Sequence, residues 1–284
     1  MIFYSPLRYP GWKKKLSKFL AKICLDNNIN WHYVEPYAWW ASVALYLLID
    51  RFVNRITIND KDRSIYAFWY SVLYETDKLI SMIKESDITI ENRNIQKDIQ
   101  NNKDKVSLLN LWFSTLFLNR TNRSWIINAW PIWWRMQNWK YKIDCRFNKE
   151  DVIKKIILIA SFKNKITLEN LDALDLIKKI RKTKNTIFYF DPPYYLKWKS
   201  LYLNAYNWDD HEKVCNAIKK LKNVKWVVSY DDVAEIRNLY RPFRKIQYSF
   251  THTAYKAREW LEILFFSNNL NKIDFNINPT LTRL

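Results

Sequence analysis

At 284 residues and 49% hydrophobic content, the chain suits one large globular domain or a core domain carrying an insertion. Lys and Arg total 47 against 28 Asp and Glu, and the net charge of +19 makes a polyanion the expected partner, with nucleic acid ahead of a membrane surface. No apolar run approaches the ~20 residues of a membrane span, and the opening residues lack signal-peptide grammar. Cys24, Cys145 and Cys215 form no Cys-x-x-Cys pair, and His32, His211 and His252 are equally dispersed. A cytoplasmic protein with reduced thiols and no metal is therefore expected.

One feature of the composition is abnormal. Glycine occurs once, at Gly11, and tryptophan fifteen times, whereas average usage of ~7% would give roughly twenty glycines. Tight strand-to-helix turns and helix ends favour positive φ, which glycine alone adopts without strain.

Residues 5-13 form a Pro-rich lead-in, and Leu16, Phe19, Leu20 and Ile23 follow at helical spacing. His32 to Pro36 reads as a short strand running into Tyr37-Ala38-Trp39-Trp40-Ala41-Ser42, and Val43 to Ile49 as a buried helix. Strand, tight turn and helix frame a nucleotide-binding first βα unit, although the phosphate-cradling glycines are missing. Arg55 to Ile58 is a second strand. Asp60 lies ~20 residues past the first turn, where an acidic side chain takes ribose hydroxyls in such folds; a helix N-cap is the other reading.

From Ile65 to Lys142 the alternation of strands and helices lapses, and an insertion is expected. It is largely helical, then loop-like from Ala129 to Arg135. It mixes Asn119, Arg120, Asn122, Arg123, Arg135 and Gln137 with aromatics, the residue types that contact phosphates and base edges. A solvated surface explains any one of them, so the density carries the reading.

Beyond it a helix is expected over 151-161, a strand over Lys165 to Leu168, and a turn that puts Asp172 at a third strand end. Then comes Thr-Ile-Phe-Tyr-Phe-Asp-Pro-Pro-Tyr-Tyr at 186-195. The strand Ile187 to Phe190 stops where two prolines forbid further ladder bonding. The Asp191 carboxylate, the Pro192 carbonyl, a backbone stiffened by Pro193 and the Tyr194 ring then share one small space. Two acceptors and a π-face suit a planar base with an exocyclic amine; an ordinary turn is the alternative. A helix at 209-221, a strand over Lys225 to Ser229 with a turn at Tyr230-Asp231-Asp232, and strands at Ile246 to Phe250 and Leu261 to Phe266 complete the pattern. The loop from Thr251 to Arg258, which holds Lys256, is basic and aromatic.

Taken in order, Pro6-Leu7-Arg8-Tyr9-Pro10-Gly11, Glu35-Pro36-Tyr37-Ala38, Asn59-Asp60, Phe117-Leu118-Asn119-Arg120-Thr121-Asn122-Arg123-Ser124 and Asp191-Pro192-Pro193-Tyr194 resemble the Dam-like, D12 class of S-adenosylmethionine-dependent DNA adenine N6-methyltransferases. The resemblance implies an α/β fold, with a Rossmann-like seven-stranded sheet and a mainly helical target-recognition insertion. Its implied parts are 1-64, within the catalytic domain and cofactor-binding; 65-145, target recognition; and 146-284, the rest of the catalytic domain. It implies catalysis by Asp191, Pro192, Pro193 and Tyr194 on an adenine flipped out of double-stranded DNA. It assigns Tyr37, Ala38, Trp39, Trp40 and Ala41 to the methionine end of S-adenosylmethionine, Asp60 to its ribose, Asp172 to its adenine, and Tyr9 and Lys13 to the flanking wall. Glu35 joins this set, with a structural role as its alternative. Asn119, Arg120, Asn122, Arg123, Arg135 and Lys256 are the implied DNA contacts. A monomer is expected, with a cognate restriction endonuclease as a further partner to look for. The other classes left open are a DNA-binding relic without catalysis and an RNA or N4-cytosine methyltransferase.

The departures from the family pattern are nearly all of one kind. Trp39 and Trp40 stand where the family's cofactor turn has glycines, and the lead-in reads Gly11-Trp12-Lys13 where the family has a glycine pair before the lysine. Glycine is also the family residue for Trp125, Trp130, Trp133 and Trp134, and is expected at Trp31, Trp112, Trp139, Trp198 and Trp260. Trp69 and Trp226 sit in apolar settings that suit tryptophan. The hypothesis is that about a dozen of these tryptophans are glycines in the natural protein, from a gene in which UGA encodes glycine; this leaves about three tryptophans, close to ordinary usage. Decay of an enzyme would instead scatter replacements over many residue types.

Overall fold

A computed structural model describes residues 3-8, 13-132, 137, 142-195, 206-252 and 258-273. The chain divides into two compact units, one of Pro10–Asp60 with Lys165–Leu284 and one of Met1–Tyr9 with Lys61–Asn164.

The first unit is built on seven strands: β1 (His32–Glu35), β2 (Arg55–Asn59), β3 (Ile166–Glu169), β4 (Thr186–Phe190), β5 (Lys225–Asp231), β6 (Arg244–His252) and β7 (Arg258–Phe266). Their order is β3-β2-β1-β4-β5-β7-β6. β1 to β5 run parallel, and β7 is antiparallel to both its neighbours. Chain order reverses where β1 pairs with β4, and in open α/β sheets the crevice beyond the carboxyl ends of such strands is where ligands bind.

All five residues of β4 are buried. That is the signature of a central parallel strand covered on both faces, which reads as a continuous apolar run rather than an alternation. Phe188 and Phe190 stack with centroids 5.6 Å apart, on one side of a core that includes Val34, Val228, Tyr230, Ile263 and Phe265. Trp226 lies in the same core, edge-on to Phe243 at 4.8 Å.

The helices of this unit are α1 (Lys13–Asp26), α2 (Ser42–Ile49), α8 (Ala173–Lys179), α9 (Trp208–Lys219) and α10 (Ala234–Leu239). α2 is apolar all round and buried from Ser42 to Leu48, as a helix inside a core must be. α9 starts with a capping box in which Asn207 and Asp210 each accept from the other's backbone N–H, so two orphan donors of the first turn are satisfied.

The second unit is helical: α3 (Arg63–Tyr74), α4 (Thr76–Glu85), α5 (Ile90–Asn101), α6 (Leu108–Thr121) and α7 (Lys149–Ala160). Asp62, Thr89, Ser107 and Asn148 cap four of these helices through side-chain oxygens. α6 is the hub. It is buried continuously from Leu111 to Thr121 and packs against α3 and α5, while α7 packs on α3 and α4. Gln100 of α5 ties into α6: Gln100 Nε2 donates to Ser114 Oγ at 2.7 Å and Thr115 Oγ1 at 2.9 Å, and its Oε1 accepts from Ser64 Oγ of α3 at 2.9 Å. Trp69 is fully buried, edge-on to Phe68 at 5.0 Å.

A candidate active site at the carboxyl ends of β1 and β4

β4 delivers Asp191 one step beyond its last pair with β5, Phe190 with Val228. Ser229 therefore stands beside Asp191, and its hydroxyl donates to Asp191 Oδ1 at 2.6 Å. Ser229 Oγ is in turn 2.8 Å from the Tyr189 hydroxyl. Past the prolines, the Tyr195 backbone N–H donates to Asp231 Oδ1 at 2.9 Å, and the Tyr194 hydroxyl donates to Glu262 Oε1 at 2.6 Å. The Tyr248 hydroxyl donates to the other oxygen of Glu262. Burial raises Tyr189, Tyr194 and Tyr248 well above the ordinary phenol range; the charge of Glu262 adds to this for Tyr194 and Tyr248, and that of Asp191 for Tyr189. All three stay protonated and able to donate. Pro192 and Tyr194 are buried, while Asp191 and Pro193 are half-buried.

The first βα turn is tied to the neighbouring strand ends by Asn59. Its Nδ2 donates to the Pro36 carbonyl at 2.9 Å and the Leu171 carbonyl at 3.0 Å, and its Oδ1 accepts from Leu171 N at 2.9 Å. Ala38 N donates to the Asn59 carbonyl at 2.8 Å. Asp60 sits against the same turn, with Oδ2 accepting from Trp39 N at 3.1 Å. Asp62, rather than Asp60, caps α3, through a bond from Ser64 N at 2.7 Å. Asp172 caps α8, accepting from Leu174 N at 2.9 Å. Glu35 is buried at the end of β1.

Beside the turn, Tyr37 and Tyr206 share a hydroxyl contact of 2.9 Å. Burial pushes Tyr206 up to about 12. The Tyr206 and Tyr195 rings both meet His211 edge-on, and His211 Nδ1 lies 3.0 Å from the Tyr230 hydroxyl. Burial lowers His211, which keeps this aromatic wall uncharged.

The strand ends fit an adenosyl ligand: a carboxylate at the tip of β2, an aromatic wall, and a turn opening into a buried helix. The indole pair does not fit. Trp39 and Trp40 lie with centroids 5.0 Å apart in the turn that the sequence resemblance assigns to the cofactor, and Trp40 is buried. Trp39 has φ 39° and Ala41 φ 46°, both in the left-handed region.

The insertion residues require a correction. Asn119, Arg120 and Asn122 are buried rather than presented to solvent. Asn119 exchanges two bonds with the backbone of Arg8, at 2.6 and 3.2 Å. Arg120 donates through Nε and a terminal nitrogen to the Pro6 carbonyl, and through the other to the Arg146 carbonyl. Asn122 accepts from Arg93 Nε at 2.9 Å and donates to the Ile126 and Ile127 carbonyls. These three side chains bind residues 6-8 and 126-127 into the helical unit. A buried guanidinium must satisfy its donors, and carbonyls do so here. Burial and the nearby Arg8 lower Arg120 to about 10. Arg123 is half-buried. Tyr9, Arg135 and Lys256 lie outside the described residues, as does the side chain of Lys13 at the start of α1.

Ser229, Asp231, Glu262, Tyr189 and Tyr248 are absent from the sequence-derived site. Tyr189, Ser229, Tyr248 and Glu262 fall inside runs that read only as strand, and Asp231 in a stretch that reads as a turn. Among the described residues no group of three His, Cys, Asp or Glu side chains is placed to hold a metal ion, and no helix is long and apolar enough to cross a membrane.

The strand order, the antiparallel β7 and an Asp-Pro-Pro-Tyr loop at the switch point define a Rossmann-like methyltransferase domain. A family model described as D12 class N6 adenine-specific DNA methyltransferase matches residues 9–253. The chain belongs to that family. No curated protein matches it. Among solved structures it is similar to a SAM-dependent methyltransferase from Agrobacterium tumefaciens, at 7% identity and a TM-score of 0.45, covering 90% of this chain and 61% of that one. It is also similar to an uncharacterized protein from Listeria monocytogenes serotype 4b, at 5% identity and a TM-score of 0.40, covering 92% and 69%. The chain thus spans 61% of the Agrobacterium protein's length; the fold assignment rests on the strand order.

Proposed function

We propose that this chain methylates the N6 amine of adenine at specific sites in duplex DNA, using S-adenosylmethionine. The observation that carries the reading is the Asp191-Pro192-Pro193-Tyr194 loop, which β4 presents beside the β1 turn and which β5 and β7 hold in place. The exocyclic amine of adenine is a poor nucleophile because its lone pair is delocalised into the ring. The Asp191 carboxylate and the Pro192 carbonyl accept its two hydrogens, draw the nitrogen towards sp³ character and aim the lone pair out of the ring plane. S-adenosylmethionine, when bound, supplies an electrophilic methyl group. The contribution of the protein is positioning and fixed dipoles, with no covalent intermediate.

Tyr194 stacks on the base, which must leave the helix because its amine cannot be reached inside the stack. Unstacking costs a few kcal/mol, which ring stacking and phosphate contacts offset. Residues 65-145 supply target recognition, with Arg123 and Arg135 as DNA contacts, and Lys256, from the 251-258 stretch, is a further one. Tyr37 to Ala41, Asp60, Asp172, Tyr9 and Lys13 bound the cofactor, and Glu35 supports the turn from the end of β1.

Incubation with unmethylated duplex DNA and S-adenosylmethionine, followed by digestion to nucleosides, is expected to yield N6-methyladenine. N4-methylcytosine, or modification of RNA alone, would overturn the reading. A second reading, a DNA-binding relic, is favoured by the indole pair in the cofactor turn; it requires DNA binding with no uptake of S-adenosylmethionine in calorimetry.

A further inference from the structure

We propose that Ser229 on β5 and Glu262 on β7 are positioning residues for the reactive loop, Ser229 fixing the plane of the Asp191 carboxylate and Glu262 fixing the Tyr194 ring. The proposal rests on the roles given above to Asp191 and Tyr194.

Pro192 and Pro193 have no N–H, so the two residues after Asp191 offer no backbone donor to its carboxylate. The adjacent strand supplies a side-chain donor. Ser229 is fully buried, and its 2.6 Å contact to Oδ1 matches a charge-assisted hydroxyl–carboxylate bond. The Ser229 hydroxyl donates its single proton to Asp191, so the Ser229 oxygen is left to accept from Tyr189. Buried Tyr189 keeps its proton and can give that bond. The result is a one-way relay of donors ending on the group that receives the amine.

Glu262 acts on the other end of the loop. It is fully buried, directly opposite Asp231 on one side and Tyr248 on the other. A buried carboxylate is costly unless its oxygens are satisfied. Two phenols satisfy it here, and one belongs to the reactive tetrapeptide. Asp231 adds a third anchor through Tyr195 N. Carboxylate plane and ring tilt are thereby set from β5 and β7, before any substrate arrives.

The test compares the wild-type chain with Ser229→Ala, Ser229→Thr and Glu262→Gln in two measurements. Hydrogen exchange of the unliganded chain, read at the Tyr194 and Tyr195 amides, is expected to quicken in Ser229→Ala and Glu262→Gln and to stay at the wild-type rate in Ser229→Thr. Single-turnover methylation of unmethylated duplex DNA is expected to slow by about ten- to a hundredfold in Ser229→Ala, the range for a lost bond to a charged group. DNA affinity is expected to hold, and Ser229→Thr to recover most of the rate. Wild-type exchange together with a wild-type rate in Ser229→Ala would overturn the proposal. Altered exchange in the variants, with no N6-methyladenine from the wild-type chain, would instead sink the functional reading and leave these contacts structural.

Discussion

Trp39 carries the sharpest conflict between side chain and backbone. Its φ of 39° lies in the left-handed region, where a Cβ crowds the following carbonyl at a cost of roughly 1–2 kcal/mol per residue and glycine is unhindered. The turn needs that geometry, because it lets Trp39 N reach Asp60 while Ala38 N bonds the Asn59 carbonyl. Trp39 therefore occupies a backbone position made for glycine, which is the residue that the family pattern places there. Trp40 lacks a positive φ, and the conflict there is one of bulk alone. The expected outcome is that Trp39→Gly combined with Trp40→Gly tightens S-adenosylmethionine binding at least about tenfold in calorimetry, a gain of ~1.4 kcal/mol. Unchanged affinity in the double variant would count against glycine as the natural residue. Peptide masses over residues 31-51 and 124-140 of protein from its native source read the same question directly.

At the scale of elements, the β1 and β2 pair holds a titrating group. His32 opens β1 with Nε2 2.8 Å from Thr57 Oγ1 on β2, and burial, helped by Arg55, lowers its pKa from 6.5 to about 4. With the folded value below the unfolded one, the unfolded chain takes up the proton first as pH falls. The contribution of His32 to stability is thus complete above about pH 6.5 and is lost as pH drops towards 4. A shift of that size is worth at most ~3 kcal/mol, and partial solvent exposure reduces it to roughly 1–2. Urea melts at pH 7 and pH 4.5 are expected to differ less in His32→Gln than in the wild type; an equal difference would remove His32 as a source.

The parallel core of the sheet was legible because buried parallel strands announce themselves as unbroken β-branched and aromatic runs, as Ile187 to Phe190 does. The reading failed where polar residues extend a strand. Tyr230 and Asp231 look like a turn in sequence, yet they finish β5 opposite Ile263 and Glu262 of β7. The short helices α8 and α10 carry too few apolar positions to show a period. For the same reason Ser229 and Glu262 were illegible as site residues, since their role comes from pairing distant strands. Asn119, Arg120 and Asn122 misled in the opposite sense: their residue types suit DNA as well as they suit backbone carbonyls, and only burial separates the two.

The excess of basic residues acts at the scale of the whole molecule. A net charge of +19 implies a field that draws in a polyanion, and for duplex DNA the affinity must then fall with salt through counterion release. The logarithm of the binding constant is expected to be linear in the logarithm of salt concentration, each neutralised phosphate contributing about 0.9 to the slope. Individual arginines should separate cleanly on this scale. Arg123→Ala, at a proposed phosphate contact, is expected to lower the slope by about 1 while weakening all sequences alike. Arg120→Gln removes an equal charge, but from a buried group already bonded to the Pro6 and Arg146 carbonyls. It is expected to leave the slope unchanged and to destabilise the helical unit by roughly 2–4 kcal/mol in urea melts, through carbonyls left unsatisfied. If Arg120→Gln flattened the salt dependence without loss of stability, that guanidinium would face DNA after all, and residues 6-8 would have to be released on binding. A slope near zero for the wild-type chain would remove DNA as the partner of the whole charge excess.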